Sequence, residues 1–341
     1  MIIIDGKGGG GQVLRTAIGL SAVTGEAIKV VNIRGARCSA GLKSQHLEGL
    51  LAVAELCSAE LKGAKLGSTE IEFIPKKLEA KELNIKLPTA GSIGLLFQSL
   101  QVASVFAPGI VRINVKGGST ASTWSPPVQY TQNIFLPIVR KMGYDAEIRI
   151  IKEAFYPKGG AEVEIVVNPV KRLKSVELTD PGKVKAIRGI SVVGSLPKHI
   201  ADRQANSAKK FFVDHGFDDV KIESKIVETF SPGTSITLWA ECENTVLGSD
   251  NIGKRGIPAE KIAEVACREL IDSIESKSAL DKYMADQILP FLALAASESR
   301  VIVEKITEHC LTNIFVIEKI LPVKFEVKEE EREISVKGIG K

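Results

Sequence analysis

The stretch VIVEKITEHCLTNIFVIEKILPVKFEV (301–327) reads as one unit: a strand at 301–305, a loop at 306–312, a helix from Asn313 and a strand at 323–327. The same order recurs at 111–151, with a strand at 111–115, a loop at 117–127, a helix at 133–142 and a strand at 146–151. Asn133-Ile134-Phe135 and Asn313-Ile314-Phe315 open the two helices, which marks the repeat as a duplication. A further copy has a strand at 28–33, a loop at 34–45, a helix at 46–61 and a strand at 71–74. Apolar helices at 13–23, 93–105 and 284–296 precede the three copies.

A divergent fourth copy occupies 189–240. Its strand is at 190–193, its loop at 194–199, its helix at 200–212 and its later strands at 220–227 and 234–240. A helix at 259–276 follows, and the block is more polar than its surroundings. Alternating strands and amphipathic helices predict an α/β fold of sheets covered by helices. The expected organisation is a large domain of three repeats, 1–182 plus 278–341, with a smaller α/β domain inserted at 183–277.

A hydrophobic fraction of 44% with 25% charged residues is that of a globular chain. The net charge of +4 is compatible with a polyanionic partner without demanding one. Five scattered cysteines without a CxxC pair fit free thiols in a reducing compartment. No stretch has the composition of a membrane span or a signal peptide, so a cytoplasmic protein is expected.

Four consecutive glycines, Gly8 to Gly11, lie between an apolar strand at 2–4 and a helical pattern beginning Gln12-Val13-Leu14-Arg15. A glycine run at a strand-to-helix junction allows close approach of a ligand, and the helix end favours an anion. The same run suits a tight turn without one. No Lys-Ser or Lys-Thr follows, so it is not a P-loop. The loop from Arg34 to His46 carries Arg34, Arg37, Lys43, Gln45 and His46, and arginine forks match phosphate oxygens at two points. His309 lies in the last strand–helix loop beside Cys310. A neutral imidazole there could act as a nucleophile or a base, and no ligand spacing supports a metal bound by that pair. Tyr283-Met284-Ala285-Asp286-Gln287 opens an apolar helix, where a carboxylate could hold a ribose or a divalent ion. Glycine turns are read at 88–94 and 155–161.

Taken in order, these motifs resemble the RNA 3′-terminal phosphate cyclase family over nearly the whole chain. The resemblance is carried by Gln12-Val13-Leu14-Arg15, Ile33-Arg34-Gly35-Ala36-Arg37, Gly41-Leu42 with Gln45-His46, and Thr89-Ala90-Gly91-Ser92. Pro126-Pro127-Val128, Phe155-Tyr156-Pro157-Lys158-Gly159-Gly160, Asp286-Gln287 and His309 complete it. It implies ATP-dependent conversion of an RNA 3′-phosphate end to a 2′,3′-cyclic phosphodiester. By that resemblance His309 forms a covalent histidine–AMP, and Gln98, Pro126, Tyr283, Asp286 and Gln287 serve the nucleotide. Arg15, Arg34, Arg37, Gln45 and His46 hold the RNA terminal phosphate or the ATP polyphosphate, with Mg²⁺ or Mn²⁺ as cofactor and Asp286 as a metal ligand. ATP and RNA 3′-phosphate ends are the implied partners, no membrane is involved, and assembly into a homo-oligomer is left open.

Two departures stand out. Gly8 occupies the position where the family has a metal-binding glutamate, and Ala161 follows Gly159-Gly160 where a third glycine is usual. Three other readings compete: a non-catalytic relative acting as an RNA-binding scaffold in ribosomal RNA maturation, an enolpyruvyl transferase on the same architecture, and a general RNA-binding protein, against which an aromatic content of 5% and the lack of an RNP-like strand speak. None needs a nucleophilic histidine, so His309 favours the cyclase.

Overall fold

A computed structural model describes residues 1–341. It contains four separate four-stranded sheets and no helix long and apolar enough to cross a membrane. Three sheets share one topology. In the first, Ile2–Asp5 pairs in parallel with Ile28–Val31, which pairs antiparallel with Ile71–Ile74 and through it with Glu60–Lys62. Glu82–Ser92, Val111–Ser119, Glu162–Asn168 and Asp145–Lys152 repeat that order, as do Glu177–Leu178, Glu298–Ile302, Glu333–Lys337 and Phe325–Lys328. Each unit is therefore βαβαββ. Its two helices follow its two parallel strands, so their N-termini emerge at one edge of the sheet.

The helix pairs are Gln12–Thr24 with Ser44–Leu56, Ile93–Val105 with a run from Val128 to Arg140, and Met284–Leu294 with Glu308–Ile320. Their apolar faces and the covered sheet faces form one core that joins all three units. In the third unit the first strand, Glu177–Leu178, is separated from its helix by the fourth sheet. That sheet has the order Val220–Val227, Val184–Gly194, Gly233–Cys242, Val246–Ile252. It carries its own buried cluster beneath His199–Asp214 and Ala259–Glu275.

The α/β class is as expected, and several boundaries are corrected. The helix read at 46–61 ends at Leu56, because Ser58 turns left-handed at φ 49° and sends the chain into the strand Glu60–Lys62. The helix read at 133–142 begins at Val128, directly after Pro126-Pro127, and passes through a π turn at Thr131–Phe135. The glycine turn read at 88–94 is instead the irregular end of the strand Glu82–Ser92 and the start of the helix Ile93–Val105, whose N-terminus Ser92 Oγ caps by accepting from Leu95 N–H. The block at 189–240 differs in strand order from the other three and so is not a fourth copy of the unit.

Phe155 wedges the fourth sheet against the second unit. It is buried among Ala121 and Val192, and a Cβ added at Gly233 would lie 2.3 Å from its Cγ. The neighbouring Tyr156 is 74% exposed. Phe155→Ala is expected to destabilise the protein by about 3 kcal/mol, and Tyr156→Ala by less than ~0.5 kcal/mol. Thermal unfolding compares them, and equal midpoints would show that Phe155 is not the wedge.

Candidate active site

The glycine run brings four helix N-termini together. Glycine is required because its neighbours are side chains of this chain. A Cβ at Gly11 would sit 2.3 Å from His46 Nε2, and one at Gly9 would sit 2.4 Å from Thr312 Cγ2. Gly10 adopts a left-handed φ of 61° alongside the Arg37 guanidinium. Gly8 has no neighbour within 4 Å of an added Cβ, so that position is open. Asp5 accepts from Lys7 N–H and Asn32 Nδ2.

His309 is not in a loop. Thr307 Oγ1 caps the helix Glu308–Ile320 by accepting from Cys310 N–H at 3.2 Å, which places His309 in the first turn. Its ring is exposed, and Nδ1 is hydrogen-bonded to Gln12 Oε1. Partial burial and the charges of Arg15 and Arg37 lower its pKa below the usual imidazole value, so it is neutral at pH 7. Cys310 is buried with its thiol pKa pushed up by burial, which leaves no nucleophilic thiolate beside it.

Behind His309 lies a compact polar network. Gln12 Nε2 donates to Asp286 Oδ2 at 2.6 Å and to the His309 carbonyl at 3.3 Å. Asn313 Nδ2 donates to the Asp286 carbonyl at 2.7 Å, and Thr16 Oγ1 donates to Asn313 Oδ1 at 2.7 Å. Gln98 Nε2 donates to Gln287 Oε1 at 3.1 Å. The network lines a small cleft, partly open to solvent, with about 30 Å³ of space for water-sized groups. Arg15 lines it, with Nε buried and unpartnered and its pKa lowered to about 10 by burial. Asp286 is raised to about 7 by burial, against the pull of Arg15.

The expected phosphate-holding residues fare differently. Arg15 and Arg37 both act electrostatically on His309. Arg34 uses Nη1 to donate to Ser39 O at 2.6 Å and Gly41 O at 3.0 Å, which braces its own loop. Gln45 Oε1 accepts from Ser92 N–H at 3.0 Å and ties the first unit to the second. His46 is buried and held neutral, its pKa lowered to about 3 by burial and by Arg15, Arg34 and Lys43, so it brings no charge to an anion. Of the nucleotide residues, Gln98, Asp286 and Gln287 line the cavity and Pro126 does not: its carbonyl packs against Gly94. Tyr283 donates from its hydroxyl to Glu269 Oε2 at 3.1 Å, at the junction with the helix Ala259–Glu275. On the helix His199–Asp214, Arg203 is bound at two points by Glu260.

No group of three or more histidine, cysteine, aspartate or glutamate side chains is placed to hold a metal ion. Asp286 is the one carboxylate of the cavity and is already bonded to Gln12. This donor set does not fit a resident hard cation, which takes six or more oxygen ligands. Gln12, Thr16 and Asn313 went unassigned in the sequence. The available signal was their spacing: Gln12 with Thr16, and His309 with Asn313, are i, i+4 polar pairs on helices that are otherwise largely apolar.

Repeated βαβαββ units bring helix N-termini together around a neutral histidine and two arginines, Arg15 and Arg37, an arrangement that favours negative charge. Residues 7–327 match the family described as RNA 3′-terminal phosphate cyclase. Proteins named RNA 3′-terminal phosphate cyclase from Pyrococcus abyssi and Methanopyrus kandleri are 42% identical over 332 residues and 41% identical over 344 residues. These matches cover 97% and 98% of this chain and 96% and 97% of theirs. The chain belongs to the RNA 3′-terminal phosphate cyclase family, a class of ATP-dependent, ligase-type enzymes. The enolpyruvyl transferase NikO from Streptomyces tendae aligns over 99% of this chain and 48% of its own with a TM-score of 0.42 and 9% identity, too slight a likeness to bear on fold or activity.

Next to the site, Asp250 is raised to about 7 by burial and by Glu269 and Asp281, against Lys282, and Asp281 is raised to about 6 by burial. A carboxyl raised above its unfolded value of about 3.9 contributes stability below that value and loses it as pH rises through the folded pKa. Asp250→Asn is therefore expected to become more stable relative to the parent between about pH 5 and about pH 8, by ~2–3 kcal/mol. Paired unfolding curves across that range measure it, and a constant difference would contradict the shift.

Proposed function

We propose that this protein converts RNA 3′-phosphate ends to 2′,3′-cyclic phosphodiesters with ATP, through a covalent AMP adduct on His309. The observation that carries this reading is a neutral, exposed histidine in a helix first turn, flanked by Arg15 and Arg37. An imidazole lone pair attacks the α-phosphorus, and the bond to the β-phosphate oxygen breaks with its electrons leaving on pyrophosphate. An oxygen of the RNA 3′-phosphate then attacks the same phosphorus and frees the imidazole. The adjacent 2′-hydroxyl loses its proton and attacks the activated terminal phosphorus, and AMP departs. The ribose holds that hydroxyl at near-attack distance, so positioning supplies much of the last step.

Arg15 and Arg37, with the converging helix N-termini, oppose the charge of the polyphosphate and of the RNA end. Arg15 Nε, buried and unpartnered, supports the reading that an anion completes this site. Arg34, Gln45 and His46 serve by bracing the loop and the first helices. The nucleotide lies outside the small cavity, with Gln98, Asp286 and Gln287 behind its phosphates and Tyr283 and Pro126 at the adenine end. Mg²⁺ or Mn²⁺ arrives bound to the phosphates of ATP. Residues 183–277 form an inserted α/β domain within a three-repeat domain, and Tyr283 at their junction couples the insert to nucleotide binding.

Incubation with ATP labelled on the α-phosphate, without RNA, tests the adduct. The parent protein is expected to carry acid-labile, alkali-stable label and His309→Ala none; equal label on both would place the nucleophile elsewhere. The labelling rate should rise with pH through a midpoint below about 6.5 and be flat above it. Arg15→Ala should lower the rate at least about 10-fold. A profile still climbing above pH 8 would contradict the assignment of His309 as the base form that reacts.

A further inference from the structure

We infer that Asp281 and Glu269 are positioning residues for the nucleobase: they hold Tyr283 with one ring face open, so that the inserted block, through Glu269, sets the affinity for ATP. The inference rests on the reading that Tyr283 lies at the adenine end and names what orients it. Asp281 is fully buried two residues before Tyr283. Its Oδ1 accepts from Tyr283 N–H and Met284 N–H, each at 2.9 Å, and from the Tyr130 hydroxyl at 2.7 Å. Its Oδ2 accepts from Gly248 N–H at 3.0 Å, on the strand Val246–Ile252. One carboxylate thus joins the start of the helix Met284–Leu294, the second repeat and the fourth sheet. A buried carboxylate needs its lone pairs met, and four donors meet these.

The Tyr283 side chain is held on three sides. Its hydroxyl donates to Glu269 Oε2 at 3.1 Å, and burial together with the charge of Glu269 raises its pKa, so the phenol keeps that proton. The Tyr130 ring meets it edge-on, with centroids 6.4 Å apart and planes at 88°. Lys282 Nζ lies over one face, 5.0 Å from the ring centroid, and 3.4 Å from Glu269 Oε1. Glu269, on the helix Ala259–Glu275, therefore anchors both the tip of the ring and the cation over it. Tyr283 still stays 38% exposed. A ring whose tip, edge and one face are occupied has one face left, and a planar base stacks on a face already held in place at little ordering cost. Asp281 and Glu269 act through Tyr283; the stacking is the ring's own.

The test is equilibrium binding of two probes to the full-length protein. One is α,β-methylene-ATP, which cannot be cleaved at the bond to pyrophosphate; the other is inorganic tripolyphosphate, which has no base. Glu269→Ala and Tyr283→Phe each remove the bond at the ring tip and keep the ring. Each should weaken the analogue about 3- to 10-fold and leave tripolyphosphate within about 2-fold of the parent. The double variant should bind the analogue no more weakly than Glu269→Ala alone, because the two changes break the same bond. Asp281→Asn, which sets an amide donor among donors, should show the same base-dependent loss, with tripolyphosphate binding as the check that it is folded. Parental affinity for the analogue in Glu269→Ala and Tyr283→Phe, or equal losses for both probes, would overturn the inference. Tyr283→Ala separates it from the reading beneath it. Unchanged binding of the analogue there would remove the base from Tyr283 and overturn both, whereas a loss there with none in Glu269→Ala would overturn the inference alone.

Discussion

One buried carboxamide, that of Gln12, ties the first repeat to the third. Gln12 begins the first helix of the first repeat, and its two ends reach Asp286 and His309 in the first turns of both helices of the third. Helix N-termini carry partial positive charge and repel one another when brought together. Here the amide and the single carboxylate of Asp286 offset that repulsion, each buried hydrogen bond contributing on the order of 1 kcal/mol and costing more than that if left unmade. Thr16 and Asn313 make the second crossing between the same helices. Arg15 and Arg37 keep this end positively charged, and both act on His309.

The repeat architecture explains why the site lies where it does. Each βαβαββ unit presents two helix N-termini at the same edge, and joining three units in one core turns several of those edges inward. The resulting centre is a small polar cleft of about 30 Å³, partly open to solvent. The fourth sheet joins this body through Phe155, and Tyr283 reaches Glu269 across the same junction, so the signature segment around Phe155 is a docking element of the fold.

Much of this was legible before any coordinates. The strand at Ile71–Ile74, the helix Ile93–Val105 and the strand Val220–Val227 match their periodicity to the residue, and the three-fold repetition follows from the spacing of apolar helices. What periodicity missed has physical causes. Glu60–Lys62 is hidden because a left-handed Ser58 ends a helix without a glycine or proline to announce it. Glu177–Leu178 is only two residues long and finds its partner, Arg300–Val301, across the whole inserted block. The glycine run suits either a ligand's approach or a tight turn without one, and Gly9 and Gly11 make room for Thr312 and His46. Gln12, Thr16 and Asn313 escaped assignment because their partners are more than 270 residues away or on another helix, a distance no local pattern encodes.

The proposed chemistry turns on His309 carrying AMP. The most direct measurement is the ¹⁵N–³¹P coupling in protein labelled with ¹⁵N-histidine and incubated with ATP. Phosphorus coupled to a ring nitrogen of His309 is the expected result. An adduct whose phosphorus is bonded to no nitrogen of His309 would contradict the proposal.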